Sequence, residues 1–205
     1  MTNQAQAVTP VVVLDEFLVA QEWRGLLEYV LSREPDFTHT HVIGAGGASI
    51  LDYGTRRSRV LFDPGPFAQV FTERLATFFP HVLTRLHHPE FPVSRVEIQI
   101  TGTGNQEFFR KHTDNGSDDV ASREITFVYF FHSEPRLFSG GELRIYDTLN
   151  ENGRATSPGP HRVVYPLQNQ MVLFPSGCLH EILPVGIPSD SFAHRRFTVN
   201  GWLHR

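Results

Sequence analysis

The chain is poor in cysteine, in long apolar runs and in basic clusters, and each shortage excludes a class of protein. Its one cysteine, Cys178, excludes a disulfide within the chain and suits a reducing cytoplasm. No apolar run approaches the roughly 20 residues that span a bilayer, so we expect no membrane partner. With 18 Lys and Arg against 22 Asp and Glu, the formal net charge is −4, and nucleic acid is not an expected partner. We predict a cytoplasmic protein that acts as a monomer or homodimer.

The length of 205 residues predicts one domain. Residues 1–10 are polar and lack the basic-then-apolar pattern of a signal peptide, so we predict a short disordered tail there. Residues 11–205 then form the single domain, with a helical half at 11–92 and a strand-rich half at 93–205.

The helical half shows apolar residues at helical spacing in two segments, residues 14–31 and residues 67–79. Pro80 interrupts the second segment, because a proline inside a helix lacks the N–H that continues the hydrogen-bond pattern. The alternative is that Val82, Leu83 and Leu86 continue the helix beyond it. Between the segments, the glycines of residues 44–47 indicate a mobile loop.

The strand-rich half begins with an alternating segment, residues 93–101. Its apolar side chains share one face, and Glu97, Gln99 and Thr101 share the other. If the apolar face packs on the helices, the polar face looks into a cavity. Further strand candidates, separated by turn signals, are residues 124–131, 142–146, 161–166, 170–174, 180–184 and 195–204. This order predicts an α+β fold, with a double-stranded β-helix (jelly roll) core backed by N-terminal helices.

Two histidines and one carboxylate in this half form a candidate metal site. His112 and Asp114 stand at i and i+2, so on a strand both side chains point to one side. His180 lies at the start of a later strand and can supply a third ligand. Two imidazoles and one carboxylate suit iron(II) and leave coordination positions open, although zinc accepts the same ligands. We predict no catalytic residue beyond these ligands.

An arginine pair follows His180. A guanidinium makes a forked, charge-assisted clamp on a carboxylate. Arg195 and Arg196 are neighbours on a predicted strand, so their side chains face opposite ways and only one of them enters the barrel.

With these motifs in order, the chain resembles the iron(II)- and 2-oxoglutarate-dependent dioxygenases, and within them the prolyl 4-hydroxylase branch. The motifs that carry the resemblance are His112-Thr-Asp114, a Gly-Gly turn at residues 140–141, His180, and Arg196 followed six positions later by Trp202. The resemblance covers residues 93–204. It implies that His112, Asp114 and His180 bind iron(II), and that Arg196 rather than Arg195 holds the distal carboxylate of 2-oxoglutarate.

The same resemblance leaves the secondary contacts to 2-oxoglutarate open. The family often places a tyrosine on the strand before His-x-Asp and another on the strand after it. Here the corresponding residues are Thr101 and Phe130, with Tyr129 one step away. Gln99, on the predicted inward face, is therefore our candidate for a polar contact to the cosubstrate. By its glycines and its place in the family, the segment 38–57 is a candidate lid over the substrate.

The implied activity is hydroxylation of a C–H bond with dioxygen, releasing succinate and CO2. A prolyl residue in a protein or peptide is the favoured substrate, and ascorbate is an optional further requirement. Asp114 disfavours the halogenase branch, and Trp202 stands where the nucleic-acid demethylases place a second arginine. Three alternatives stay open: a dioxygenase that acts on a free amino acid or small natural product, a dioxygenase that serves as an oxygen sensor, and a non-catalytic metal-binding jelly-roll module.

Overall fold

Two helices and several short antiparallel sheets make up the computed structural model, which describes residues 9–40, 42–43, 49–50, 52–147, 150–151, 154–155 and 159–205. Helix α1 spans Ala20–Ser32 and helix α2 spans Phe67–Leu86. Short 3-10 helices lie at Glu34–Asp36, Asp118–Val120 and Phe192–His194. In these ranges, no helix has the length and apolar character needed to cross a membrane.

The strands, in chain order, are Val12–Leu14 (β1), Thr38–His39 (β2), Val42–Ile43 (β3), Ser49–Ile50 (β4), Arg56–Arg57 (β5), Arg59–Leu61 (β6), Arg95–Thr103 (β7), Phe108–His112 (β8), Arg123–Phe131 (β9), Ser139–Gly140 (β10), Leu143–Tyr146 (β11), Asn150–Glu151 (β12), Arg154–Ala155 (β13), His161–Val164 (β14), Gln170–Pro175 (β15), His180–Ile182 (β16), Val185–Gly186 (β17) and Arg196–His204 (β18). The strands predicted from residue 93 onward are confirmed to within a few residues at each end.

Two of the sheets form the core. The larger has the order β1-β15-β9-β18-β7-β6-β2, and the smaller has the order β14-β11-β16-β8-β5. Neighbouring strands in both sheets are antiparallel. The pairs β10–β17, β12–β13 and β3–β4 are separate two-stranded ribbons. The predicted jelly roll backed by helices is confirmed.

Strand β9 shows how the layers are held together. Its residues Phe127, Tyr129 and Phe131 pack into the core that the larger sheet shares with the helices. Val128 and Phe130 point the other way and pack against residues of the smaller sheet. Because side chains alternate along a strand, an unbroken apolar run such as β9 can serve two cores at once.

Residues 11–92 contribute strands to the core sheets as well as both helices. Strand β1 pairs with β15, β6 pairs with β7, and β5 joins the smaller sheet through β8. Both core sheets therefore contain strands from the first half of the chain. Residues 1–8 of the predicted tail lie outside the described residues, whereas the backbone N–H of Thr9 donates to Asp147 at 2.7 Å. Of the predicted lid, residues 41, 44–48 and 51 lie outside the described residues.

Helix α1 starts later than predicted. Leu14 belongs to β1, where it pairs with Met171, and Glu16 has a positive φ of 52° that breaks the chain direction. The helix begins after Val19, whose backbone N–H donates to the Glu22 carboxylate at 3.0 Å. Helices often begin where a glutamate side chain in the first turn accepts a hydrogen bond from the backbone N–H of the residue before the helix. This hydrogen bond sets the start of α1.

Helix α2 continues through Pro80, so of the two alternatives the helix that extends beyond the proline is the correct one. Beyond the proline, Val82, Leu83 and Leu86 are buried in the core. A proline inside a helix costs about 3 kcal/mol, whereas burying each of these apolar side chains contributes roughly 1.5–3 kcal/mol. The packing of the last turns therefore outweighs the lost hydrogen bond.

A buried asparagine fastens the N-terminal segment to the sheets. Asn169 adopts a positive φ of 58° in the turn before β15. Its side-chain oxygen accepts from the Leu18 N–H at 2.8 Å and from the Tyr129 hydroxyl at 2.9 Å. Its amide group donates to the Leu18 carbonyl at 2.7 Å.

Replacing Asn169 by alanine is expected to lower the free energy of unfolding by about 3 kcal/mol, because it leaves three buried polar groups without partners and because alanine tolerates a positive φ less well than asparagine. Urea unfolding followed by circular dichroism measures this loss. Gln69→Ala, on the exposed face of α2, is the matched control and should change stability by less than about 0.5 kcal/mol. A loss below about 1 kcal/mol for Asn169→Ala would contradict this role.

Candidate metal centre and cosubstrate pocket

A cavity of about 840 Å³ lies between the two core sheets. The larger sheet lines it with polar residues of β7 and β18, namely Glu97, Gln99, Thr101, Thr103, Arg196, Thr198, Asn200 and Trp202. The predicted orientation of β7, with its polar face toward a cavity, is confirmed. The smaller sheet supplies His112 and His180, so the cavity contains both predicted metal-binding histidines.

The three candidate ligands meet at one point of this cavity. His112 ends β8 and lies directly opposite His180, which starts β16. Asp114 lies in the turn just after β8, and its carboxylate oxygens are 3.5 Å from Nε2 of His112 and 3.5 Å from Nε2 of His180. One ligand atom of each residue lies within 4.8 Å of the others. This spacing fits three ligands around a single ion.

A β-bulge in β8 sets the direction of His112. Three residue steps in β8, from Phe109 to His112, face two steps in β16, from Ile182 to His180. The extra residue brings the rings of Phe109 and His112 to the same face, stacked at 3.5 Å between centroids. Bulges of this kind re-aim side chains near functional sites. Sequence periodicity gave no sign of it.

Both histidines present the same ring nitrogen to the centre. Nδ1 of His112 lies 2.8 Å from the Arg110 carbonyl, and Nδ1 of His180 lies 2.9 Å from the Cys178 carbonyl. A carbonyl only accepts, so each Nδ1 carries the proton and each Nε2 keeps a free lone pair. Burial lowers the pKa of His180 to about 4, and the neighbouring charge of His112 adds to this effect. His180 is therefore neutral at pH 7, the form that binds metals.

The turn that carries Asp114 is fixed by its surroundings. The Asp114 N–H donates to the Ser176 carbonyl at 2.9 Å. Its carboxylate accepts from the Thr126 hydroxyl at 2.8 Å, and its carbonyl accepts from Nη1 of Arg123 at 3.2 Å. These supports were not predicted from the sequence. The one available signal was Thr126, a polar residue inside the otherwise apolar strand β9.

The Asp114 carboxylate is ionised at neutral pH. Its burial raises the pKa, but the interactions with His180 and His112 more than offset this. The net result is a pKa well below the usual range. Among the described residues, the buried Nε1 of Trp202, which also lines the cavity, makes no hydrogen bond.

Arg196 is a buried cation with unused donors. It is 2 % exposed, and its Cζ lies 4.9 Å from the centre of the Phe130 ring. Within the described ranges, neither its Nε nor its Nη2 has a hydrogen-bond partner. Burial lowers its pKa to about 9, against the opposing charge of Glu142, so the side chain stays protonated at pH 7. An unpaired buried charge is costly, and an anionic ligand in the cavity would relieve that cost.

The Gly-Gly turn makes room for this arginine. Gly140 and Gly141 have positive φ values of 69° and 71°. A Cβ on Gly141 would lie 2.5 Å from Cδ of Arg196. Glycine is thus required here both by the backbone conformation and by the close approach of Arg196.

Arg195 faces elsewhere. Its Nη1 forms an ion pair with Glu107 at 2.9 Å, and it is not among the residues that line the cavity. Gln99 does line the cavity and is 9 % exposed. Phe130 occupies the position of the second family tyrosine and packs beneath Arg196, whereas the hydroxyl of Tyr129 is bound to Asn169 on the helix side.

Comparison with known proteins identifies the class. Residues 98–204, slightly more than half of the chain, match the 2OG-Fe(II) oxygenase superfamily. The chain belongs to this family, which implies iron(II) and 2-oxoglutarate. The site fits both: a donor set of two imidazoles and one carboxylate suits iron(II), and the unpaired Arg196 suits a carboxylate.

More particular relatives are PKHD-type hydroxylases. The chain is 41 % identical over 152 residues to an uncharacterized PKHD-type hydroxylase of Synechocystis, covering 73 % of this chain and 50 % of the relative. It is 31 % identical over 108 residues to a PKHD-type hydroxylase of Shewanella baltica, covering 49 % and 44 %. The chain thus spans about half the length of the curated relatives it matches.

Solved prolyl hydroxylases share the fold. A prolyl-4-hydroxylase of Pseudomonas putida superposes with a TM-score of 0.68 at 20 % identity, covering 97 % of this chain and 94 % of that one. A prolyl hydroxylase of Trichoplax adhaerens, solved with a peptide fragment of hypoxia inducible factor, gives 0.67 at 14 % identity, covering 96 % and 84 %. At these identities the likeness concerns the fold alone.

Proposed function

We propose that the chain is an iron(II)- and 2-oxoglutarate-dependent dioxygenase that hydroxylates a prolyl residue of a protein or peptide and releases succinate and CO2. One observation carries the proposal: the unpaired guanidinium of Arg196 and the cluster of His112, Asp114 and His180 face the same cavity. A metal-binding module without cosubstrate has no need of such a buried cation.

Each residue has a defined task in this proposal. His112, Asp114 and His180 would hold iron(II), Arg196 would bind the far carboxylate of 2-oxoglutarate, and Gln99 would offer a polar contact beside it. Iron and 2-oxoglutarate together supply the activation of dioxygen for C–H hydroxylation, with ascorbate as an optional reductant. The protein supplies orientation, because the ligands are already held by hydrogen bonds to the carbonyls of β8 and its neighbours.

Aromatic side chains keep the histidine side of the centre dry. The ring of Phe109 stacks on His112 at 3.5 Å, and the edge of Phe174 lies against His180 at 4.9 Å between centroids. The two rings cover one side of each imidazole and leave no room for water there, which strengthens the electrostatic interactions in the site.

The choice of a polypeptide substrate is supported by the relatives and by the cavity mouth. Two of the solved proteins with this fold are prolyl hydroxylases, and one of these was solved with a peptide fragment. The mouth reaches the surface at Phe62, which is 71 % exposed and lines the cavity. An exposed aromatic ring at an open mouth suits an extended chain better than a ligand enclosed on all sides.

Turnover of peptides tests the proposal. Purified protein with iron(II), 2-oxoglutarate and proline-containing peptides should release one succinate for each oxygen atom added to proline, as followed by mass spectrometry. Matched peptides with alanine in place of proline are the control and should give only slow, uncoupled succinate release. Equal turnover of the alanine peptides, or faster turnover of free amino acids, would assign the enzyme to a different substrate class.

A further inference from the structure

We propose that Arg57 and Arg110 bind an acidic segment of the polypeptide substrate beside the cavity mouth. The inference rests on the proposed function and adds to it the charge of the sequence that flanks the target residue. It comes from a group of guanidinium and aromatic side chains on β5 and β8, which we call the arginine rim: Arg56, Arg57, Arg110, Phe108 and Phe109.

The arginine rim is ordered by two aromatic rings. Strand β5 pairs with β8 so that Arg57 lies opposite Phe108 and Arg56 lies opposite Phe109. The Phe108 ring has Cζ of Arg57 at 5.8 Å and Cζ of Arg110 at 5.2 Å, and the Phe109 ring has Cζ of Arg56 at 4.5 Å. Cation–π contacts at these distances hold the guanidinium groups in place.

Each guanidinium is also anchored through its inner nitrogen. Nε of Arg57 donates to the Tyr53 carbonyl at 2.9 Å, Nε of Arg110 donates to the Gly54 carbonyl, and Nε of Arg56 donates to the Ser58 hydroxyl at 3.2 Å. For the described part of the chain, no hydrogen bond or carboxylate within 4.0 Å engages their terminal nitrogens. The two-pronged ends, which match a carboxylate, are therefore both oriented and free.

Two other arginines near the cavity, Arg123 and Arg195, are paired with glutamates. Arg123, which also lines the cavity, binds Glu97 at 2.8 Å, and Arg195 binds Glu107 at 2.9 Å. The Asp52 carboxylate accepts hydrogen bonds from the Thr55 hydroxyl at 2.6 Å and from the Gly54 N–H at 2.9 Å. These bonds lower its pKa, and the charge of Arg110 adds a smaller effect in the same direction. The arginine rim thus has a surplus of positive charge in a chain with a net charge of −4.

The position of the arginine rim points to the substrate. Arg56, Arg57, Phe108 and Phe109 line the same cavity as the metal ligands. A polypeptide whose target residue enters the cavity must run past these side chains. Asp118 and Asp119 lie on another part of the cavity lining and would repel a continuous phosphate backbone. A polypeptide can present acidic residues to the rim and other residues to the aspartates, so it is the better match.

Steady-state kinetics with paired peptides test the inference. Two peptides share one central proline and differ only in having glutamate or glutamine in the flanking positions. In the double variant Arg57→Gln, Arg110→Gln, the KM for the glutamate peptide should rise about tenfold, since two partly exposed ion pairs are lost, with kcat unchanged. The KM for the glutamine peptide should stay the same. Arg162→Gln, an exposed arginine on β14 at the opposite edge of the same sheet, is the matched control.

Equilibrium binding separates this inference from the proposed function. Fluorescently labelled versions of both peptides are titrated by anisotropy at low and high salt, without iron or dioxygen. Tighter binding of the glutamate peptide that weakens with salt and in the double variant supports the arginine rim, even if no proline is hydroxylated. Equal binding of the two peptides to the wild-type protein overturns it. The inference is also overturned if a single-stranded DNA probe binds more tightly than the glutamate peptide and loses affinity in the double variant.

Discussion

Replacement of Asp114 by alanine should lower iron-dependent succinate formation by about a thousandfold. Asp114 is the only carboxylate of the three-residue cluster, and its ionised form supplies the negative charge that holds the metal. Metal-ion catalysis is worth several kcal/mol, and about 4 kcal/mol corresponds to a thousandfold change in rate. Coupled measurement of succinate and of bound iron should show both falling together.

Two controls make this result specific. Asp190→Ala removes an exposed carboxylate and should leave turnover and iron content unchanged. Circular dichroism of Asp114→Ala should show the wild-type spectrum, because the backbone hydrogen bond from its N–H to Ser176 is kept. If Asp114→Ala turns over at the wild-type rate, the metal is not held by Asp114.

Replacement of Arg196 by methionine should raise the 2-oxoglutarate concentration for half-maximal turnover about a hundredfold. Hydrogen bonds between charged groups contribute roughly 1.5–3 kcal/mol, and a hundredfold change in affinity corresponds to about 2.7 kcal/mol. The methionine fills the space beside Phe130 but cannot bind a carboxylate. Because the removed charge has no described partner for its Nε and Nη2, stability in urea should hold or increase.

Arg195→Met is the matched control for Arg196. Its guanidinium pairs with Glu107 outside the cavity, so the 2-oxoglutarate requirement should stay within about twofold of wild type. Arg196→Lys should recover part of the affinity, since lysine keeps the charge but loses the forked geometry. A large effect in Arg195→Met combined with a small one in Arg196→Met would reverse the assignment of the two arginines.

The features that sequence patterns predicted are those governed by alternation along a strand. The period of two in β7 predicted that Gln99 and Thr101 would share an inward polar face, and both line the cavity. The same alternation separated Arg195 from Arg196. The close grouping of His112, Asp114 and His180 followed from a short spacing plus a resemblance, because only tertiary pairing of β8 with β16 brings the distant histidine to the other two.

The features that escaped prediction depend on contacts between distant segments. The bulge in β8 depends on its register with β16, and no local pattern encodes that register. Pro80 stays within α2 because the residues after it are buried. The short apolar segment at residues 12–14 suits a strand or a helix equally well, and pairing with β15 decides between them. The stacking of Arg57 and Arg110 on Phe108 likewise requires β5 and β8 to meet.

The central claim is that one cavity holds iron(II) on His112, Asp114 and His180 and 2-oxoglutarate on Arg196. Anaerobic calorimetric titration of the metal-free protein tests it most directly, first with iron(II) and then with 2-oxoglutarate. We expect one iron per chain, and 2-oxoglutarate binding that requires the metal and weakens about a hundredfold in Arg196→Met. Binding of 2-oxoglutarate with equal affinity in the absence of iron, or unchanged iron binding by the double variant Asp114→Ala, His180→Ala, would contradict the claim.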